Sequence, residues 1–146
     1  MKIIKQFRDM NNQVVASIFC EEETGMMMDI WSVNPHATDC SKLVMEYCFS
    51  HIRENNIVLW LCNQTKLAEF LGNAEGYEIS ELQHTLHNSK LQKIALVCRK
   101  KDLLNNSALF AVYKELAIES ETFDNQVMAM RWLTSTSPAA DIAIAS

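Results

Sequence analysis

Glycine and proline are scarce in this chain, 3 and 2 of 146 residues, which excludes collagen-like and linker-rich architectures. No stretch approaches the roughly 18 uninterrupted apolar residues of a spanning helix, so no membrane span is expected. Cations are outnumbered, 13 Lys and Arg against 18 Asp and Glu, and a net charge of −5 argues against a protein that grips phosphate backbones. Nucleic acid is therefore not expected as a partner. Also missing are a C-x-x-C pair, a Gly-rich phosphate loop, a spaced metal-ligand set and a nucleophile with its base. The expectation is a protein that is not an enzyme and carries no cofactor or metal. Residues 1–9 show neither an apolar signal core nor a small-residue cleavage site, so export is not expected. Five cysteines, Cys20, Cys40, Cys48, Cys62 and Cys98, are odd in number and scattered, the pattern of reduced thiols used as apolar filler. That usage suits a cytoplasmic address.

What is present is a chain 49% hydrophobic and 21% charged. At this length roughly 68–70% of the unfolded surface can be buried, so no metal or disulfide is needed for folding. One domain is expected over residues 1–133, followed by a Ser-, Thr- and Ala-rich tail at 134–146 that reads as poorly ordered.

Strands are predicted over 2–7, 13–20 and 26–32, joined by polar turns at 9–12 and 21–25. In such a strand Met26 and Met28 face one way and Met27 the other. Asn34-Pro35 ends this hairpin region. From Thr38 or Asp39, either of which can cap, to Glu54, the apolar residues Cys40, Leu43, Val44, Tyr47, Cys48 and Ile52 recur at helical spacing. Ile57-Val58-Leu59-Trp60-Leu61-Cys62 then reads as a central strand covered on both faces. A polar loop over 63–78 leads to a short helix opened by the capping box of Ser80 and Gln83. Residues 93–98 form the next strand. A helix within 102–119 carries Leu109, Val112, Tyr113 and Leu116, with Asp102, Asn105, Asn106 and Ser107 as possible caps. A short strand over 121–124 and a helix over 125–133 complete the series. The order β-β-β-α-β-α-β-α-β-α predicts an α/β fold, a mixed sheet with N-terminal antiparallel hairpins and C-terminal βαβ units, helices packed on it.

This arrangement resembles the STAS and SpoIIAA-like proteins. The residues that carry the resemblance are Ile57 to Asn63 as central strand, Glu78-Ile79-Ser80-Glu81 at a helix start, Lys93 to Val97 as the next strand, and Phe123-Asp124 with Ala129, Trp132 and Leu133 at the end. It implies a SpoIIAA-like fold. In the anti-sigma antagonists of that family a D-S-[ST]-G motif opens the helix after the central strand, and a partner kinase phosphorylates its serine. Ser80 is the nearest counterpart, with neither the Asp nor the Gly beside it. Phosphorylation at Ser80 stands against the simpler capping role, since Glu81 would repel an added phosphate.

Several further residues invite weighing. Arg99, Lys100 and Lys101 fall where a strand ends and a helix begins, a place suited to a phosphate or carboxylate, and Asn63, which opens the loop over 63–78, is a further ligand-binding candidate. The alternative is a solvated loop. His84 and His87 share a helix face, yet two imidazoles do not make a zinc site and an exposed surface explains them. His36 and His51 carry no signal of their own. Met45 and Phe49 widen the apolar face of the first long helix beyond one sheet contact, a shoulder suited to a partner or a second copy. Trp31, Trp60 and Trp132 read as core anchors. The function expected is a non-enzymatic regulatory or protein-interaction module, with another protein or a homodimer as partner. The alternative is a carrier of a small molecule or lipid, which some SpoIIAA-like proteins invite through grouping with the CRAL-TRIO lipid-transfer fold.

Overall fold

Val14, Val15, Ile18 and Phe19 give the second strand its β-branched and aromatic side chains. A computed structural model describes residues 1–67, 79–102 and 107–135. In it β1 (Lys2–Arg8) and β2 (Val14–Glu21) form a hairpin, and β3 (Met26–Trp31) pairs antiparallel with β2. The carboxylate of Asp9 closes the first turn. It accepts the N–H groups of Asn11 at 2.8 Å and Gln13 at 3.0 Å, and the Nδ2 of Asn34 at 3.0 Å. These bonds, the one from Gln13 foremost, hold its carboxyl below the ordinary range.

Gly25 makes the second turn at φ +67°, and its site has no room for a side chain: a Cβ there would lie 2.7 Å from the Asn56 carbonyl oxygen. Its own carbonyl accepts the N–H groups of Val58 at 2.8 Å and Leu59 at 3.1 Å. The hairpin is thereby fastened to the start of β4 (Leu59–Asn63).

Between β3 and β4 runs α1 (Ala37–Glu54), which starts ahead of both expected caps. Asn34 prepares the entry instead, accepting the His36 N–H at 2.7 Å while donating to Asp9 and to the Val14 carbonyl. Asp39 sits inside the first turn, 3.6 Å from His36 Nδ1. Then come α2 (Ile79–His87), β5 (Lys93–Val97), a single 3-10 turn at Lys100–Asp102, α3 (Ser107–Glu115), β6 (Glu119–Phe123) and α4 (Gln126–Thr134). The strand expected over 121–124 begins two residues earlier. Asn125 caps α4, its Oδ1 accepting from Val127 N at 2.8 Å and Met128 N at 3.2 Å. Ser80 lies within α2 rather than at its cap, and its side chain is outside the described residues. So are the loop beyond Leu67, the capping candidates Asn105 and Asn106, the side chain of Leu109, and the tail from 136 onward.

The six strands lie in the order β1-β2-β3-β4-β5-β6, antiparallel from β1 to β3 and parallel from β3 to β6. This is the expected α/β class with a mixed sheet. Each parallel crossover steps to the neighbouring strand in the same direction, so crossovers of one hand place α1, α2 and α3 on the same face. The larger core forms there, from Ile18, Met27, Trp31, Trp60, Ile94 and Leu96 of the sheet with Val44, Cys48, Ile52, Leu86, Val112 and Tyr113 of the helices. The opposite face carries α4, packed mainly over β5 with β4 and β6 at its flanks. Met26, Met28, Leu61, Ala95 and Val97 meet Ala129 and Leu133 there. Met27 thus faces one core and its two neighbours the other, as strand alternation requires. Among the described residues no helix is long and apolar enough to cross a membrane.

Candidate functional site

One residue in β3 breaks the run Met-Met-Met-Asp-Ile-Trp. Alternation puts Asp29 on the same face as Met27 and Trp31, so its carboxyl points into the larger core, where it is fully buried. No cation pairs with it among the described residues. Neutral donors surround it instead. Trp60 Nε1 donates to Oδ1 at 2.5 Å, and Oδ2 accepts Trp31 Nε1 at 2.8 Å and the Cys62 thiol at 2.9 Å. Gln64 Nε2 in turn donates to Cys62 Sγ at 3.3 Å. Burial pushes the Asp29 carboxyl up, and the three donors pull it partly back. Phe49 stands edge-on to Trp60 at 5.5 Å, closing the cluster from α1.

Such a group makes a poor nucleophile site. Burial pushes the Cys48 and Cys62 thiols well above their ordinary value, with the neighbouring Asp29 adding to it. Burial likewise raises Cys20 and Cys40, and takes Cys98 to about 11. All five are free thiols, and each stays protonated near neutral pH, as buried filler cysteines do.

The cations expected to hold an anion lie at the carboxyl end of β5 and are engaged locally. Arg99 Nε is 3.6 Å from Asp102, Lys100 Nζ is 3.8 Å from Asp124, and Lys101 is exposed. Asn63 sits on the same edge, in register with Val97. Its Nδ2 donates to Gln126 Oε1 at 2.6 Å and its Oδ1 accepts from Thr65 N and Oγ1, which ties β4 to the start of α4. The parallel strands follow one another in a single direction, so among the described residues the strand order does not reverse at this edge. His84 and His87 are both exposed, and no metal-binding group of His, Cys, Asp or Glu occurs among the described residues.

At the opposite end of the strands a cleft of about 660 Å³ lies between the amino terminus, the Gly25 turn and the end of α1. Its lining is mixed: Lys2, Glu21, Glu22, Glu23, His51 and Asn55 face Met1, Ile4, Cys20 and Ile57. His51 stacks on Tyr47 and receives Asn55 Nδ2 at 3.2 Å, while its Nε2 is buried without a hydrogen-bond partner. Burial lowers its affinity for a proton.

The expected apolar shoulder on α1 is not a free surface. Phe49 is 2% exposed in the core and Met45 is half-buried against it, because α1 packs on α2 as well as on the sheet. On α1 the exposed apolar side chain is Leu43, and a further apolar stretch lies on the α4 side of the antiparallel strands. Register places Ile3, Phe19, Met28 and Leu61 in one row across β1 to β4 and Gln6, Ser17, Ile30 and Asn63 in another. Ile3 is 52% exposed, and Phe19 and Ile30 are half-buried. Charged groups border these rows: Arg8 Nη2 donates to Gln6 Oε1 at 2.9 Å, and Glu21 pairs with Met26 in the next row of the same face. The strand alternation carried the signal for Asp29 and for this face, but which strands stand side by side was needed to assemble either. The chain matches no protein-family model, no curated protein and no solved structure.

Proposed function

We propose that the chain is a non-catalytic regulatory or protein-interaction module, on an α/β fold related to the SpoIIAA-like proteins, that works by pairing two copies through the apolar face of β1, β2 and β3. The row of Ile3, Phe19 and Met28 carries this reading. Ile3, Phe19 and Ile30 form an apolar centre with Gln6, Ser17, Arg8 and Glu21 around it, and such a patch can meet an identical one under a two-fold axis with its polar groups at the rim. The strand edges are less suited to pairing. β1 displays Lys2, Lys5 and Arg8 and β6 displays Glu119 and Glu121, the charges that discourage edge-to-edge association. Protonated thiols and a carboxyl tied to indoles add no support for catalysis.

Sedimentation velocity at rising concentration tests the reading. A dimer fraction that grows with concentration and disappears in Phe19→Lys is expected; association indifferent to that substitution, or none at all, refutes it. The carrier alternative draws on the cleft beside His51, which sets charged and polar side chains against apolar ones and so suits a small amphipathic ligand. A bound mass in native mass spectrometry, lost on widening the Gly25 turn, would favour it.

A further inference from the structure

We infer that the outer edge of β6 takes up an extended segment of a partner protein as an added strand, a segment whose side chains alternate between basic and apolar. This surface is separate from the face of β1 to β3 and does not depend on the pairing of two copies. The ladder to β5 fixes which groups the edge offers. Glu119 N donates to the Gln92 carbonyl and the Phe123 carbonyl accepts from Cys98 N, each at 2.9 Å, so residues 119, 121 and 123 turn their backbone groups inward. Ser120 and Thr122 therefore turn theirs outward. Among the described residues no strand lies beyond them. A carboxylate oxygen of Glu121 accepts the Thr122 N–H at 3.2 Å, in the place that the carbonyl of a further strand would take.

The two faces beside this edge differ in chemistry. On the side of α3, Ser120 and Thr122 stand in register with Ile94 and Leu96 of the larger core. A groove of about 540 Å³ opens next to Ser120, lined by Phe110, Ala111, Ala117 and Ile118 with Lys114 at its border. On the side of α4, Glu119 and Glu121 are exposed. Lys93 Nζ lies 3.9 Å from Glu119 but is also bonded to the end of α4, and Glu121 forms no ion pair among the described residues.

A strand laid along the edge sends alternate side chains to the two faces. One set falls on the apolar groove, the other beside Glu119 and Glu121, where lysine or arginine is favoured. The carboxylates that keep two copies of β6 apart thus select a basic strand.

Fluorescence anisotropy of a labelled hexapeptide alternating valine and lysine, titrated with the full chain, tests the site. Saturable binding is expected, and a peptide alternating valine and glutamate should not bind. Thr122→Pro removes only an outward N–H, which an edge strand tolerates, so it should weaken binding by about tenfold or more and leave the urea midpoint in place. Glu119→Gln combined with Glu121→Gln should weaken it by about fivefold. The peptide backbone supplies a reading that needs no variant. An added strand turns only alternate N–H groups to β6, those of the valines when antiparallel and those of the lysines when parallel. Of two peptides, one N-methylated on its valines and one on its lysines, one should bind like the parent and the other not at all. Binding that both keep or both lose overturns the inference. So does binding indifferent to Thr122→Pro, equal binding of the acidic peptide, or none up to about 1 mM. Phe19→Lys should leave peptide binding unchanged, so failure of the dimer and failure of this site are read separately.

Discussion

Asp29 shows how a single side chain can hold two strands and cost stability at once. Its oxygens satisfy the indole N–H groups of Trp31 and Trp60, two donors that would otherwise be buried without partners. Replacing it with leucine leaves both unpaired. Asp29→Leu should lose about 2–6 kcal/mol in urea unfolding, at about 1–3 for each orphaned donor. Asn retains one acceptor oxygen and should cost less. The pH dependence has a definite sign. Burial raises the carboxyl above its unfolded value of about 3.9, so over that window the native state holds more protons than the unfolded one. The Asp29 contribution to stability is whole below the unfolded value and falls as pH rises through the native one. Asp9, lowered by its bonds, acts oppositely and at more acid pH, but it is present in both chains. The wild type should therefore lose unfolding free energy relative to Asp29→Asn as pH rises from 4; parallel pH profiles would contradict the buried carboxyl. The sequence alone shows that an aspartate interrupts an apolar strand. That two tryptophans from different strands would turn their N–H groups to it is a matter of register, which no local pattern specifies.

Among the elements, α4 depends on a lysine far away in the chain. Lys93 supplies a cation to the carbonyl end of the helix and lies 4.9 Å over the Trp132 ring. Lys93→Met keeps the stem and removes the charge and three hydrogen bonds. A loss of about 1–3 kcal/mol is expected, with earlier hydrogen exchange in α4 than in β5. The end of α3 offers a gain instead. Ala117 takes φ 59° just past the helix, while Ile118 N bonds the Tyr113 carbonyl at 2.9 Å, an arrangement that usually ends on glycine. Ala117→Gly should stabilise by about 1 kcal/mol, visible as a higher urea midpoint with the same slope. The described strands and helices were legible from periodicity to within a few residues, because each buries one face or both. Their starts were less so. The entry of α1 is set by Asn34 and its bonds to the first hairpin, and α2 opens before the serine that resembled its cap.

For the whole molecule, the α/β class and the division of the methionine run between two cores followed from the order of elements and from strand alternation. The sequential strand order did not. Among the described residues that order puts three helices on one face and one on the other, which covers the parallel half of the second face, while Ile3, Phe19 and Ile30 belong to its antiparallel half. The apolar surplus expected at Met45 and Phe49 is absorbed by contact with α2 and Trp60, whereas the side-by-side exposure of Ile3, Phe19 and Ile30 is visible only once the strands are paired. The most direct measurement is isotope-filtered NMR on a mixture of labelled and unlabelled full chain. If the antiparallel face pairs two copies, contacts between chains will join the Phe19 and Ile30 side chains to the Met28 methyl. Contacts between chains confined to other surfaces such as Leu43 or Val127, or none at concentrations up to about 1 mM, the weak end of protein association, would contradict it.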